Sequence, residues 1–179
     1  MGVDFYCNEK HFGCSYSGWN TIRMFVLKAT FNYLYDVISK DRNDELSEEE
    51  QEEETVKNLF TIKSIFENGA VSNVDKFIRN CNNNDYGLYL FTKYNANGIY
   101  ALINKSDCEG KYSPGNALDI CILLDAIKTY YDIESESNKV DYDVIYDQEY
   151  YAKNWGSKYV CVYKLFEESW KSGKHINIC

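Results

Sequence analysis

Two segments near the start, Val3-Asp-Phe-Tyr-Cys7 and Trp19-Asn-Thr-Ile-Arg-Met-Phe-Val-Leu-Lys-Ala-Thr-Phe-Asn-Tyr-Leu-Tyr-Asp-Val-Ile-Ser39, decide the fold class. The first alternates and is rich in β-formers, so it reads as a strand. In the second, Trp19, Ile22, Val26, Ala29, Tyr33 and Val37 recur at helical spacing, with Phe25 and Leu34 beside them. That stripe predicts an amphipathic helix. Between them, His11-Phe-Gly-Cys-Ser-Tyr-Ser-Gly18 is small and glycine-rich and reads as a loop, with Ser17 as the cap of the helix.

Further along, Val56 to Phe66 predicts a second helix ended by Asn68-Gly69, and Asn73 to Asn80 a short third one. Tyr86 to Thr92 reads as a strand or a short helix. Asn95-Ala-Asn-Gly98 is turn chemistry, and Ile99 to Ile103 reads as a buried strand. Ser113-Pro114 places a cap before proline at the first helical position. The buried stripe that follows is Ala117, Ile120, Cys121, Leu124, Ile127 and Tyr131. Asp132 to Asp143 reads as a loop. A last helix is expected from Asp147 to Ser172, with an interruption at Gly156 and a face of Trp155, Tyr159, Tyr163, Phe166 and Trp170. Gly173 suits its C-terminal cap, and His175 to Ile178 suits an edge strand. The expected architecture is α+β: four to five helices packed on a small sheet of short strands, in a single domain over residues 1–179.

Charge is concentrated. Residues 41–54 hold nine carboxylates against Arg42, a net −8 within a chain of −9. This block reads as an exposed acidic loop, and the rest of the chain is close to neutral. The basic stripe that phosphate backbones require is missing, so direct nucleic-acid binding is not expected. With 179 residues and 45% hydrophobic side chains, the chain can bury one core. Its 17 tyrosines predict a core with polar edges. No apolar run is long enough to span a bilayer. The segment Met1 to Asn8 carries Asp4 and lacks a basic leader, so no secretory signal and no membrane association are expected. Seven cysteines, without C-x-x-C, read as free thiols in a reducing, cytoplasmic setting. Cys121 and Cys161 fall on apolar faces and are expected in the core. The bias toward Asn, Tyr, Lys and Asp, with Pro114 the lone proline, is that of an AT-rich genome, as in some protists, bacteria and large DNA viruses.

The segment Lys105-Ser-Asp-Cys-Glu-Gly-Lys-Tyr-Ser-Pro-Gly-Asn116 carries the candidate chemistry. Its register matches a calcium loop of the EF-hand kind: Asp107 at position three, Glu109 at five, Gly110 at the sharp turn, Tyr112 at the apolar eighth, Ser113 at nine. Lys105 and Asn116 occupy the first and twelfth positions, where anionic ligands belong. A calcium or magnesium site at Asp107 and Glu109 therefore stands beside a structural reading, an acidic bend whose Ser113 caps a helix. Arg23, Ser15 and Ser17 are supporting candidates. They either line a polar pocket with the two carboxylates, or Arg23 pins the first helix to the bend. A nucleophilic Cys14 or Cys108, with His11 or His175 as base, is a third option.

Read together, Phe12-Gly-Cys-Ser-Tyr-Ser-Gly-Trp-Asn-Thr-Ile-Arg23 and Ser106-Asp-Cys-Glu-Gly-Lys-Tyr-Ser-Pro114 resemble a group of uncharacterised proteins. These are mostly bacterial, with relatives expected in large DNA viruses and protists. Their signatures are S-Y-S-G-[FW]-x-x-[FI]-R and H-S-D-C-D-G-E-[WL]-S-P-E-E. Here Lys105 replaces the histidine, Lys111 the acidic residue, and Gly115-Asn116 the two glutamates, and the acidic block is extra. The resemblance implies fold boundaries and no reaction.

The expectation is thus a non-enzymatic interaction domain that docks a protein partner or self-associates, with the acidic block steering a basic partner. A viral source would place it in the particle or the host cytoplasm. The alternative is a small-ligand or divalent-metal module, or a weak hydrolase, centred on Asp107 and Glu109. If the bend is architecture, millimolar calcium leaves the melting temperature unchanged; a clear rise in a thermal melt would assign the cation site instead.

Overall fold

The computed structural model describes residues 2–44, 91–104, 110–131 and 148–179. The expected helices over 56–66 and 73–80, the loop over 132–143 and the bend carboxylates Asp107 and Glu109 lie outside these residues. The described elements are strands β1 (Gly2–Cys7), β2 (Lys10–Ser15), β3 (Gly110–Tyr112) and β4 (Ile176–Ile178). The helices are α1 (Tyr16–Asp44), α2 (Gly98–Asn104), α3 (Pro114–Tyr131) and α4 (Gln148–Ser172). The architecture is α+β, with an antiparallel sheet in the order β2-β1-β4-β3.

β1 forms where a strand was expected, and β2 stands where a loop was expected, so the two make a hairpin. β1 pairs with β2 from Gly2 opposite Ser15 to Cys7 opposite Lys10. The two-residue turn between them puts Asn8 at φ 53°, a conformation asparagine tolerates better than most residues. Side chains alternate across the pleat. Val3, Phe5 and Cys7 are buried, while Tyr6 faces out. Phe5 packs against Trp19 at 4.5 Å between ring centroids, joining the hairpin to α1. The turn is also tied to α4, since the Asn8 amide donates to the Glu168 carboxylate at 2.5 Å.

Helix α1 starts earlier than expected, and its cap is Ser15 rather than Ser17. The Ser15 hydroxyl accepts the Gly18 N–H at 3.0 Å. Trp19, Ile22, Val26, Ala29, Phe25 and Leu34 are buried as the spacing implies, and Leu27, Thr30 and Phe31 widen the buried face. Thr30 satisfies its hydroxyl by donating to the Val26 carbonyl at 2.7 Å. Residues 41–44 of the acidic block extend this helix, and 45–54 lie outside the described residues.

A helical turn at 91–93 ends in a Schellman arrangement. Ala96 N–H reaches the Phe91 carbonyl at 2.7 Å, Asn95 N–H reaches Thr92, and Asn95 takes φ 58°. The chain is thereby redirected into α2. The expected strand over 99–103 is this helix. A short continuous apolar run fits either element, and Ile99 and Leu102 are buried at helical spacing.

Helix α3 begins where Ser113-Pro114 predicts. The start is reciprocal: Asn116 N–H donates to the Ser113 hydroxyl at 3.1 Å, and Ser113 N–H donates to the Asn116 side-chain oxygen at 3.4 Å. Ala117, Ile120, Leu123, Leu124 and Ile127 are fully buried, and Cys121 is nearly so.

Helix α4 runs unbroken through Gly156, against expectation. Its buried face is Val162, Leu165, Phe166 and Ser169. This face is rotated from the predicted one, so Trp170 and Cys161 are exposed instead of buried. Gly173, at φ 70°, ends the helix as expected. The Ser169 hydroxyl, donating to the Lys174 carbonyl at 2.5 Å, folds the exit back into β4. β4 is no edge strand. It lies between β1 and β3, and Asp4 and Cys179 exchange both backbone hydrogen bonds at 3.1 and 2.9 Å.

Gly98 sits against the backbone of α3. A Cβ there would run into the Asp119 carbonyl oxygen and lie 2.6 Å from the Ile120 Cα. These are backbone atoms of a buried helix and cannot swing aside. Gly98→Ala is expected to destabilise the fold by about 1–3 kcal/mol, measured as a lowered denaturant midpoint; an unchanged midpoint would show that α2 and α3 are not in contact.

Candidate functional site

The residues singled out by sequence fall into two helix starts. At the first, Ser15 and Ser17 are neighbours, with hydroxyl oxygens 3.0 Å apart. Ser15 caps α1, and the Ser17 carbonyl accepts the Thr21 hydroxyl at 2.8 Å. Arg23 follows on the same helix, half-buried. At the second, Ser113 caps α3. Such a cap contributes about 1 kcal/mol. Tyr112 points inward and is fully buried, edge-on to Phe166 at 5.1 Å between centroids. Its ring is thus part of the core and cannot line an open polar pocket.

Residues 105–109 join α2 to β3. The element before them is a helix and not the expected strand, and the elements after them are the short strand β3 and α3. Gly110 takes φ 138° at the sharp-turn position of the register. Asn116, however, directs its oxygen at the Ser113 N–H, which accounts for asparagine where a calcium loop would carry a bidentate glutamate. Among the described residues, no group of three His, Cys, Asp or Glu side chains is placed to hold a metal ion.

His11 is not placed to act as a base on Cys14. His11 and Cys14 are an odd number of residues apart on β2, so the pleat sends them to opposite faces. His11 is stacked on Tyr6 at 4.6 Å, and its Nε2 lies 2.8 Å from the Asp4 carboxylate on the outer face. Cys14 packs toward the core. Cys108 lies outside the described residues. Cys121 sits in the core as expected, where burial and the nearby Asp125 carboxylate push its thiol up to about 12. Burial also raises Cys7.

A feature the sequence reading missed lies on α3 and α4. The outward stripe of α3 is Gly115, Leu118, Ile122, Asp125 and Thr129. Leu118 and Ile122, one turn apart, are 40% and 39% exposed. Near the Cys121 thiol, Trp170 of α4 is 37% exposed. One turn on, Asp125 accepts the Tyr163 hydroxyl at 3.0 Å. Lys171 is paired with Glu167. The result is an exposed apolar pair on α3 and an exposed indole on α4, with Lys171 Nζ lying over that ring at 5.6 Å from its centroid. The signal was present in the sequence: a helix with apolar residues on both its inner and outer stripes has more apolar surface than one core uses.

Among the described residues, no helix is long and apolar enough to cross a membrane. No protein-family model matches the chain. Searches of curated proteins and of solved structures return no match either.

The thiols provide a direct check. The thiolate is the reactive form, and at neutral pH Cys121 holds it at a fraction on the order of 10⁻⁵. With Ellman's reagent on the folded protein, the exposed Cys161 and Cys179 should react ahead of Cys7 and Cys121. The two buried thiols should appear only on unfolding, as mapped by mass spectrometry. Fast labelling of Cys121 in the folded chain would contradict the packing described above.

Proposed function

We propose that this chain is a non-enzymatic protein-interaction domain. The observation that carries this reading is the exposure of three large apolar side chains, Leu118 and Ile122 one turn apart on α3 and Trp170 on the neighbouring α4. Scattered exposed leucines are ordinary, but large apolar side chains grouped on one face mark interaction surfaces. Covering Leu118 and Ile122 with a partner would contribute about 1–2 kcal/mol each, given that part of each side chain is already buried. The acidic block over residues 41–54 supports an electrostatically steered encounter with a cationic partner.

A second reading, a divalent-cation or small-ligand module at Asp107 and Glu109, draws support from one observation. The segment lies between α2 and β3, and Gly110, at its sharp-turn position, has positive φ, as a cation loop of that register requires. Lys105 in place of the first ligand and the capping role of Asn116 favour the interaction reading.

The test is affinity capture with the intact chain and with Leu118→Glu/Ile122→Glu. Whatever protein only the wild type retains is then purified and titrated. Binding should weaken by at least about tenfold in the variant, with its melting temperature unchanged. Removing residues 41–54 should slow association and flatten its salt dependence. Equal affinity of both chains for the same purified partner would overturn the reading.

A further inference from the structure

We infer that β2 is a self-pairing edge, along which a second copy of this chain joins antiparallel so that the two sheets become one. This surface is separate from the α3–α4 face and does not depend on the reading above. In the sheet order β2-β1-β4-β3, β2 forms one rim, and among the described residues no strand lies beyond it. Asp4 spends its backbone N–H and C=O on Cys179, just past β4. Along an antiparallel strand these groups point alternately to the two sides. Gly13, opposite Asp4, therefore aims its own N–H and C=O away from β1, and so does His11, opposite Tyr6. Gly13 is exposed. It has no side chain, so what it exposes is backbone. Phe12 and Cys14 turn instead to the inner face, toward the core that α1 and α4 also pack against. The β1–β2 register runs from end to end without a bulge, and β2 has no proline. The devices that usually blunt an edge are reduced to Lys10 at its tip.

A rim of alternating donors and acceptors is matched by another extended backbone. The sequence of β2 suits its own copy, and the reason is register. With Phe12 on the two-fold axis, His11 lies opposite Gly13 of the second copy, and Gly13 opposite its His11. Each of these pairs exchanges both backbone bonds. Phe12 meets Phe12 of the second copy at a non-hydrogen-bonded pair, where cross-strand side chains come closest and an aromatic pair stabilises the ladder. His11 meets a residue without a side chain, and Lys10 meets Cys14, so no like charges stand opposite. The nearby carboxylates are engaged or set back. Asp4 is held by His11, and Glu168 by Asn8. Glu9 lies in the turn, beyond the paired span. Putting Gly13 on the axis would set Phe12 against Cys14 and lose the aromatic pair; putting His11 there would set imidazole against imidazole.

A strand pair buries less surface than a permanent interface, so the association is weak. Sedimentation equilibrium of the full chain from about 10 µM to about 1 mM should show the mass rising toward that of two copies. Each copy carries a net −9, so added salt should strengthen the association. The decisive measurement needs no variant. By NMR, amide exchange at His11 and Gly13 should slow at least about threefold across that range, while Phe12 and Cys14, already bonded to β1, stay unchanged. His11→Pro removes a donor that β1 does not use, and should abolish the rise in mass. In a Cys161→Ser/Cys179→Ser background, Phe12→Cys should give a covalent dimer on oxidation with diamide, joined through position 12 of both copies by mass spectrometry. A monomer throughout the range would overturn the inference. So would self-association that leaves the His11 and Gly13 amides unchanged, or that is abolished by Leu118→Glu/Ile122→Glu and survives His11→Pro. The last outcome would put the second copy on the α3–α4 face, supporting that surface while sinking this one.

Discussion

Burial of helix α3 is the constraint on which the other elements depend. Ala117, Ile120, Leu123, Leu124 and Ile127 are all inaccessible to solvent, and α1, α2, α4 and β3 each pack against this helix. Its position is set at one end by the reciprocal Ser113–Asn116 cap and along its length by the close approach of Gly98. Toward its far end, Tyr130 donates to Asp36 and stacks edge-on with Tyr33, holding α1 alongside. Tyr33 in turn donates to the Tyr94 carbonyl at 2.9 Å, securing the turn that launches α2. Each tie uses a hydroxyl to satisfy a polar atom at the edge of an apolar contact, which is the use a tyrosine-rich sequence makes available.

Local signals were legible where the physics is local. The long 3.6-residue stripe of α1, the Ser113-Pro114 start and the Gly173 stop are each determined by neighbouring residues, and each was readable. What stayed hidden depends on partners distant in sequence. Lys10–Ser15 contains Gly13 and few β-formers, and it is a strand because β1 lies beside it. Gly13 has its own reason: a Cβ there would collide with the Asp4 carboxylate that pairs with His11. The apolar run of α2 has no period long enough to choose between helix and strand. Cys161 and Trp170 were misplaced because the inner face of α4 is set by which residues meet α3 and the sheet.

The same division applies to the candidate site. Ser15, Ser113 and Asn116 were readable as polar residues near glycine and proline, and their described bonds are those of helix caps. Tyr112 belongs to the core. Residues that look chemical in a motif can be consumed by backbone satisfaction, because every helix start leaves N–H groups needing acceptors. The strip on α3 is the converse case. Leu118 and Ile122 look ordinary in sequence, and only the placement of α4 and α1 leaves them outside.

The central place of β4 has a consequence for biosynthesis. β1 spans Gly2–Cys7, yet one of its two neighbours in the sheet, β4, begins only at Ile176. At ribosomal rates of roughly 5–20 residues per second, β1 waits on the order of ten seconds or more for Ile176–Ile178 to be polymerised. During that interval only its β2 side can be paired, and an isolated two-stranded hairpin is marginal in water. The nascent chain thus carries an open flank on β1 until Ile176–Ile178 emerge to pair with it.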